Sequence, residues 1–365
     1  MTNKTKHLYS RQSKPGFKAY SEMVPEFRPY LMHANTTNYR SKVVNTDRLG
    51  FRNIYYKEKL LGIDQLKKNS KNINLLIGTS AAFGMGSNSD KTTIQSFLSS
   101  SGELCFSLGI RGGNSQQELL SFLKFKNFFP KIKNIIIFSG LNDIQQSAQK
   151  NSFHYKDYGG LSGAETHIFN SLLQVNSFSK EKWVLGKTNL FFIINYLSNR
   201  FSIFRFFLRI FSFFRMSKLQ KKTHNDSILN FKEKNNDIKK IIANDLHTWS
   251  LIQNQMQIRI IYLFQPTITW TSRKPTDYEK QIIKFEKKRI NEYFQKDFTS
   301  RKVYLDTKNF LKKECKKNSI DFYDANKLIL NSDKKRDFFI DFVHLSNYGN
   351  EYIASVIDKI LLKKL

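Results

Sequence analysis

Four short stretches carry residue types that could together transfer an acyl group. The run LLIGTSAAFGMG, residues 75–86, breaks off at Gly78, Thr79 and Ser80. Residues 109–114 read GIRGGN, residues 140–143 GLND, and residues 341–344 DFVH. A serine that attacks a carbonyl needs a base to take its proton, and the base needs a carboxylate that fixes its tautomer and stabilises the imidazolium. Asp341 and His344 are three residues apart, close enough in one turn for the carboxylate to reach the imidazole. A tetrahedral intermediate needs preorganised donors, which the backbone N–H groups of a glycine turn and an asparagine amide can supply. Singly, each stretch has a plainer reading: Ser80 as a helix cap, Asn142 and Asp143 as turn residues, His344 as a surface histidine. Their joint presence favours the chemistry.

The elements that must position these residues can be read from the apolar pattern. INLLI (73–77), ELCFSLGI (103–110), NIIIFSG (134–140) and IRIIYLF (258–264) are short, nearly continuous apolar runs. Such runs mark strands buried on both faces of a parallel sheet. Between the first three lie TTIQSFLSS and SQQELLSFLKFKNFF, with helical spacing. The alternation predicts βαβ units and a parallel sheet covered by helices. Ligands bind such sheets beyond the carboxyl ends of the strands, where three of the four stretches fall.

At 365 residues the chain is long enough for one large domain or two modest ones. Residues 1 to about 70, including VPEFRPYLMH and VNTDRLGFRN, have little periodicity and read as an arm packing on a domain at 71–365. Residues 151–254 break the strand–helix rhythm and read as a helical insertion. Within it, residues 190–216 are the most apolar part of the chain, yet Arg200, Arg205 and Arg209 interrupt them. Each arginine at a bilayer centre costs about 2.5–3.5 kcal/mol on insertion scales, which argues against a membrane span. On a helical wheel Ser198, Ser202, Arg205, Arg209 and Ser212 share one stripe. That suits a lid or bundle helix packed on the core, with peripheral membrane or partner contact as the alternative. The polar stretch 221–240 reads as an exposed connection.

The net charge of +30 would attract phosphates without sequence preference. Lysine, asparagine, isoleucine and phenylalanine are abundant throughout, however, so compositional bias with some preference for acidic partners is the favoured explanation. No zinc-finger spacing, RNP-like motif or long basic tail supports a nucleic-acid partner. Cys105 and Cys315 lie far apart and show neither metal-ligand spacing nor a disulfide framework. Their scarcity, and a polar, basic first twenty residues without an apolar h-region, point to the cytoplasm. Nothing in the sequence speaks to oligomeric state.

In order and approximate separation, GTSAAFG, GIRGGNS, GLND and DFVH resemble the four blocks of the SGNH hydrolases, also called GDSL-type esterases and lipases. The resemblance covers about residues 75–145 and 258–360. It implies a three-layer, flavodoxin-like α/β fold with Ser80 as nucleophile, His344 as general base and Asp341 orienting it. The implied oxyanion hole comprises the backbone N–H groups of Ser80 and Gly112 and the side-chain amide of Asn142, with no metal or organic cofactor. The family commonly has aspartate where this chain has Thr79, whose hydroxyl is expected to make similar local hydrogen bonds. Arg111, within the glycine turn, and Gln265, after the strand at 258–264, are further candidates for substrate contact. A solvated arginine and a strand-ending turn are the alternatives. Asn45, Gly50, Phe51 and Arg52 resemble the N-terminal arm of SGNH proteins found with surface-polysaccharide assembly, where the arm borders the site.

The expected activity is hydrolysis of a small acyl ester through an acyl-Ser80 intermediate, with a carbohydrate O-acetyl group preferred. Two alternatives stand beside it: an O-acyltransferase in which a sugar hydroxyl replaces water, and a non-catalytic membrane- or polyanion-binding module that keeps the fold.

Overall fold

Five parallel strands form the centre of the computed structural model, which describes residues 17–67, 72–129, 131–150, 154–155, 157–160 and 230–365. They are β1 (Ile73–Gly78), β2 (Leu104–Ser107), β3 (Ile132–Ser139), β4 (Arg259–Phe264) and β5 (Asp321–Asp324), in the order β5-β4-β3-β1-β2. Every residue of β1 and β2 is buried, as is every residue of β3 from Asn134 onward, which is why these segments read as unbroken apolar runs. The chain enters the sheet one strand in from an edge, forms that edge with β2, then crosses back over β1 to β3 and on to the other edge. That reversal places a topological switch point between β1 and β3, the position where open α/β sheets bind ligands. The register pairs Gly78 with Phe138 and Phe264 with Ser139, so three strands end nearly level.

The principal helices are α1 (Ser80–Phe83), α2 (Ile94–Ser100), α3 (Ser115–Phe125), α4 (Asn142–Ala148), α5 (Phe231–Met256), α6 (Asp277–Tyr293), α7 (Arg301–Lys317) and α8 (Asn347–Leu361). Right-handed crossovers put the helices after β1 and after β2 on opposite faces of the sheet. Accordingly α2 packs with α8, while α5 packs with α3, α4 and α7. Two helices begin with reciprocal capping boxes, Asn114 with Gln117 at α3 and Thr276 with Glu279 at α6.

The chain divides into two compact units, Met1–Glu165 with Phe231–Leu365, and Thr166–Asn230. The second lies outside the described residues except for Asn230, and so does the apolar stretch 190–216. Residues 231–254, expected in the insertion and in part as an exposed connection, instead form most of α5. Ile238, Ile242, Leu246 and Trp249 follow one another at helical spacing and are all buried. Trp249 meets Phe122 of α3 with ring centroids 5.1 Å apart. Lys240, Asn244 and His247 between them are exposed and form the outer face of a core helix. Among the described residues no helix is long and apolar enough to cross a membrane.

The described part of the arm comprises two short helices, Phe17–Glu22 and Ile63–Lys67, and two small antiparallel hairpins, Glu26–Arg28 with Met32–Ala34 and Ile54–Tyr56 with Lys59–Leu61. Phe51 anchors it to the core by edge-on contacts with Phe106 and Phe125.

Candidate active site

The β1 strand can end beside β3 and turn at once into α1 only because residue 78 is glycine. A Cβ there would lie 2.4 Å from the Phe138 carbonyl oxygen and 2.8 Å from the Ala82 Cβ. Thr79 caps α1 by position but makes no side-chain cap bond, and its buried hydroxyl has no hydrogen-bond partner among the described residues. The expected local bonding of Thr79 is therefore not formed among the described residues: its side chain is buried at the end of β1 with no acceptor or donor within reach of the hydroxyl. Ser80 opens α1 and is half-buried.

His344 comes to Ser80 from the far end of the chain. Its Nε2 lies 2.8 Å from the Ser80 Oγ, and its Nδ1 lies 2.7 Å from Oδ2 of Asp341. The other Asp341 oxygen accepts the backbone N–H groups of Val343, at 2.9 Å, and His344, at 2.7 Å. A carboxylate at Nδ1 selects the tautomer with its proton there, leaving a lone pair on Nε2 directed at the serine hydroxyl. Asp341 and His344 are both buried.

Their loop is held on several sides. Ile340 N–H donates to the His344 carbonyl at 2.9 Å, and Ile268 N–H to the Phe342 carbonyl at 3.1 Å. Upstream, Glu279 accepts the N–H groups of Phe338 and Phe339 on one oxygen and pairs with Arg273 at 2.7 Å on the other. That ion pair is fully buried, so α6 fixes the approach to the loop.

The candidate oxyanion donors Gly112 and Asn142 follow β2 and β3, the two strands that flank β1. Gly112 has φ +75°, in the left-handed region, and nothing lies within 4 Å of where a Cβ would stand. Glycine is needed there for the backbone, and the space beside it is open. Asn142 opens α4 and gives one amide hydrogen to the Gly113 carbonyl at 2.8 Å, which holds the amide while leaving its second N–H to donate. Among the described residues neither the Ser80 nor the Gly112 N–H has an acceptor. Asp143 accepts the backbone N–H and hydroxyl of Ser115, joining the starts of α3 and α4.

Beneath these turns lie two further buried carboxyls. Burial, reinforced by neighbouring Asp143, holds Glu118 well above the usual carboxylate range, and it accepts the Ser139 hydroxyl at 2.6 Å. Burial also pushes Asp245 up to about 7; a hydrogen bond from Ser115 opposes the shift and Asp143 adds to it.

Two candidates for substrate contact differ in placement. Arg111 turns away from the strand ends: its guanidinium donates to the Tyr20 carbonyl at 2.8 Å and the Met23 carbonyl at 2.7 Å. These carbonyls lie in and just beyond the short helix Phe17–Glu22, where backbone oxygens attract a cation. Arg111 thus fastens the arm to the glycine turn. Gln265 is buried directly after β4, and neither its amide oxygen nor its amide nitrogen has a partner among the described residues.

The arm also contributes residues that sequence reasoning did not single out. His33 and Asn35 of the arm bond around the glycine turn with Gln117 of α3, and Tyr20 of the arm joins Arg52 behind α1, where Arg52 also meets Asp90 from beyond α1. No periodicity or motif marks them.

No family model and no curated protein matches the chain. Among solved structures, it is similar to a GDSL-like lipase from Bacteroides thetaiotaomicron, with 13% identity over 81% of this chain and 89% of that one, and a TM-score of 0.37. It is similar to a putative acylhydrolase from Bacteroides fragilis, with 15% identity over 81% of this chain and 89% of that one, at a TM-score of 0.35. It is likewise similar to an acetyl xylan esterase, with 11% identity over 79% of this chain and 99% of that one, at a TM-score of 0.38.

Proposed function

We propose that this chain is a serine ester hydrolase of the SGNH type. The observation that carries the reading is the continuous hydrogen-bonded line from Ser80 Oγ through His344 to Asp341.

In this reading Ser80 Oγ attacks the acyl carbon as its proton passes to His344 Nε2. The carbonyl oxygen becomes an oxyanion that accepts from the N–H groups of Ser80 and Gly112 and from the Asn142 amide. His344 then returns the proton to the departing alcohol oxygen, leaving an acyl-Ser80 ester. A water that gives a proton to His344 attacks this ester, and collapse of the second intermediate frees the acid and restores Ser80. Asp341 keeps the imidazole in register and stabilises it while it is charged.

The preferred substrate is a small acyl ester on a carbohydrate, an O-acetyl group above all, with Gln265 as a buried amide available to it. The net charge of +30 supports an acidic carbohydrate or an anionic precursor. Both cysteines are buried and free, which suits the cytoplasm. A sugar hydroxyl replacing water at the second step would make the same acyl-Ser80 a transfer intermediate, and acceptor-dependent consumption of an acyl donor distinguishes that case.

Labelling with a fluorophosphonate tests the reading, because the probe reacts with a serine that a base activates. Mass spectrometry should find Ser80 modified in the wild type and unmodified in His344→Ala. A well-folded wild type whose Ser80 stays unlabelled would overturn the hydrolase reading in favour of a non-catalytic binding module.

A further inference from the structure

The arm grips the glycine turn through two buried side chains that the proposed chemistry does not use. Asn35 donates to the carbonyls of Gly109, at 3.0 Å, and Gly50, at 3.2 Å, and accepts the Arg111 N–H at 3.0 Å. His33 Nε2 lies 2.9 Å from the Arg111 carbonyl oxygen, and its Nδ1 lies 3.3 Å from the amide nitrogen of Gln117. A carbonyl only accepts, so Nε2 carries the proton and Nδ1 accepts from Gln117. That is the neutral imidazole, and burial favours it by lowering the His33 pKa; the bond to the Arg111 carbonyl opposes this and the Arg111 guanidinium adds to it.

The peptide unit in this grip decides what His33 can do. The Arg111 carbonyl and the Gly112 N–H belong to one trans amide plane, so an oxygen tethered on one side aims the N–H out of the other. Gly112 has no side chain to hold the plane, and no atom crowds its Cα on the open side. A hydrogen bond accepted at the amide oxygen also polarises the N–H and strengthens it as a donor.

We propose that His33 is a positioning residue for the oxyanion hole: its Nε2–H, donated to the Arg111 carbonyl, orients and polarises the amide whose Gly112 N–H receives the developing negative charge. The proposal rests on the assignment of Gly112 as an oxyanion donor made above. The donor's full value is realised only in the transition state, so loosening it lowers kcat and leaves KM nearly unchanged.

The test compares His33→Ala, His33→Asn and His33→Gln on a short-chain aryl ester, after circular dichroism and thermal melting have identified the folded variants. Glutamine carries an N–H at nearly the reach of the imidazole Nε2, whereas asparagine is too short. The expected result is a kcat lower by roughly 10-fold or more in His33→Ala and His33→Asn, with KM within about twofold and most of the rate restored in His33→Gln. Should His33→Ala fail to fold, the asparagine–glutamine comparison carries the test. Equal kcat in folded asparagine and glutamine variants, or a loss confined to KM, overturns the inference. Fluorophosphonate labelling run alongside separates the two levels: a labelled wild-type Ser80 with an unaffected His33→Asn rate removes only the role of His33, whereas an unlabelled wild type removes both.

Discussion

Arg52 and Asp90 form an ion pair at 2.7 Å in which both side chains are almost wholly buried. The Arg52 guanidinium also donates to the Tyr20 hydroxyl and to the carbonyls of Gly84 and Val43, and Asn45 donates to the second Asp90 oxygen. Gly84 is the residue that ends α1, so this pair ties the arm to the turn that carries Ser80. Removing one partner of a buried pair leaves the other charge uncompensated, at a cost of about 3–5 kcal/mol. Arg52→Ala should therefore lower unfolding stability by that amount in urea titration. A change below about 1 kcal/mol would mean that the arm is not anchored here.

Asp341→Asn should keep the fold and lose the activity. The asparagine oxygen can retain the two backbone N–H bonds, which turns its amide nitrogen toward His344 Nδ1. The imidazole proton then moves to Nε2, where no lone pair remains for Ser80. Measured kcat should fall on the order of 10⁴-fold, with the melting temperature little changed.

Asn142→Ala should lower kcat by roughly 10²–10³-fold with a small change in KM, the signature of a donor used in the transition state. Steady-state kinetics on an aryl acetate would read it. A rise in KM at constant kcat would instead make Asn142 a ground-state contact.

Thr79→Val removes a buried hydroxyl that has no partner among the described residues and keeps the shape of the side chain. Replacing an unpaired buried polar group by an apolar isostere is neutral or favourable, so stability should hold or rise by up to about 1 kcal/mol. A loss of more than that on thermal melting would show that the hydroxyl is bonded after all.

Asp245 gives a pH dependence whose sign is set by its raised pKa. The folded value is about 7 against a reference of 3.8, so the folded state binds the proton more tightly. The contribution of this group is full below the reference value and falls as pH climbs toward 7. Asp245→Asn cannot lose a proton, so its melting temperature relative to wild type should rise between pH 4 and pH 8. A parallel pair of stability curves would contradict the shift.

Most of the sheet was legible because its strands are buried on both faces. The runs at 73–77, 134–140 and 258–264 became strands with ends shifted by no more than two residues. The strand β5 was not legible: DFYD is a short edge segment with an aspartate at each end, exposed at Asp321 and half-buried beyond it, with no apolar run to announce it. The helix α5 hid behind its outer charges, although Ile238, Ile242, Leu246 and Trp249 repeat at helical spacing. The residue types of the site could be read from their blocks and from the short span between Asp341 and His344. Arg111 could not be placed, because a long side chain turns toward whatever acceptors the fold supplies, and its acceptors lie 91 and 88 residues away. His33 and Asn35 lacked any signal for the same reason, since their function depends on backbone atoms remote in sequence.

The separation of Ser80 from His344, 264 residues along the chain, has a consequence for biosynthesis. A ribosome delivers β1, β2 and β3 long before the loop that carries the histidine. Until that loop emerges, Ser80 is an ordinary alcohol, with no base to take its proton. The hydrogen-bonded line from Ser80 to Asp341 therefore cannot close before residue 344 has been translated, and a nascent chain short of that loop lacks the proposed chemistry.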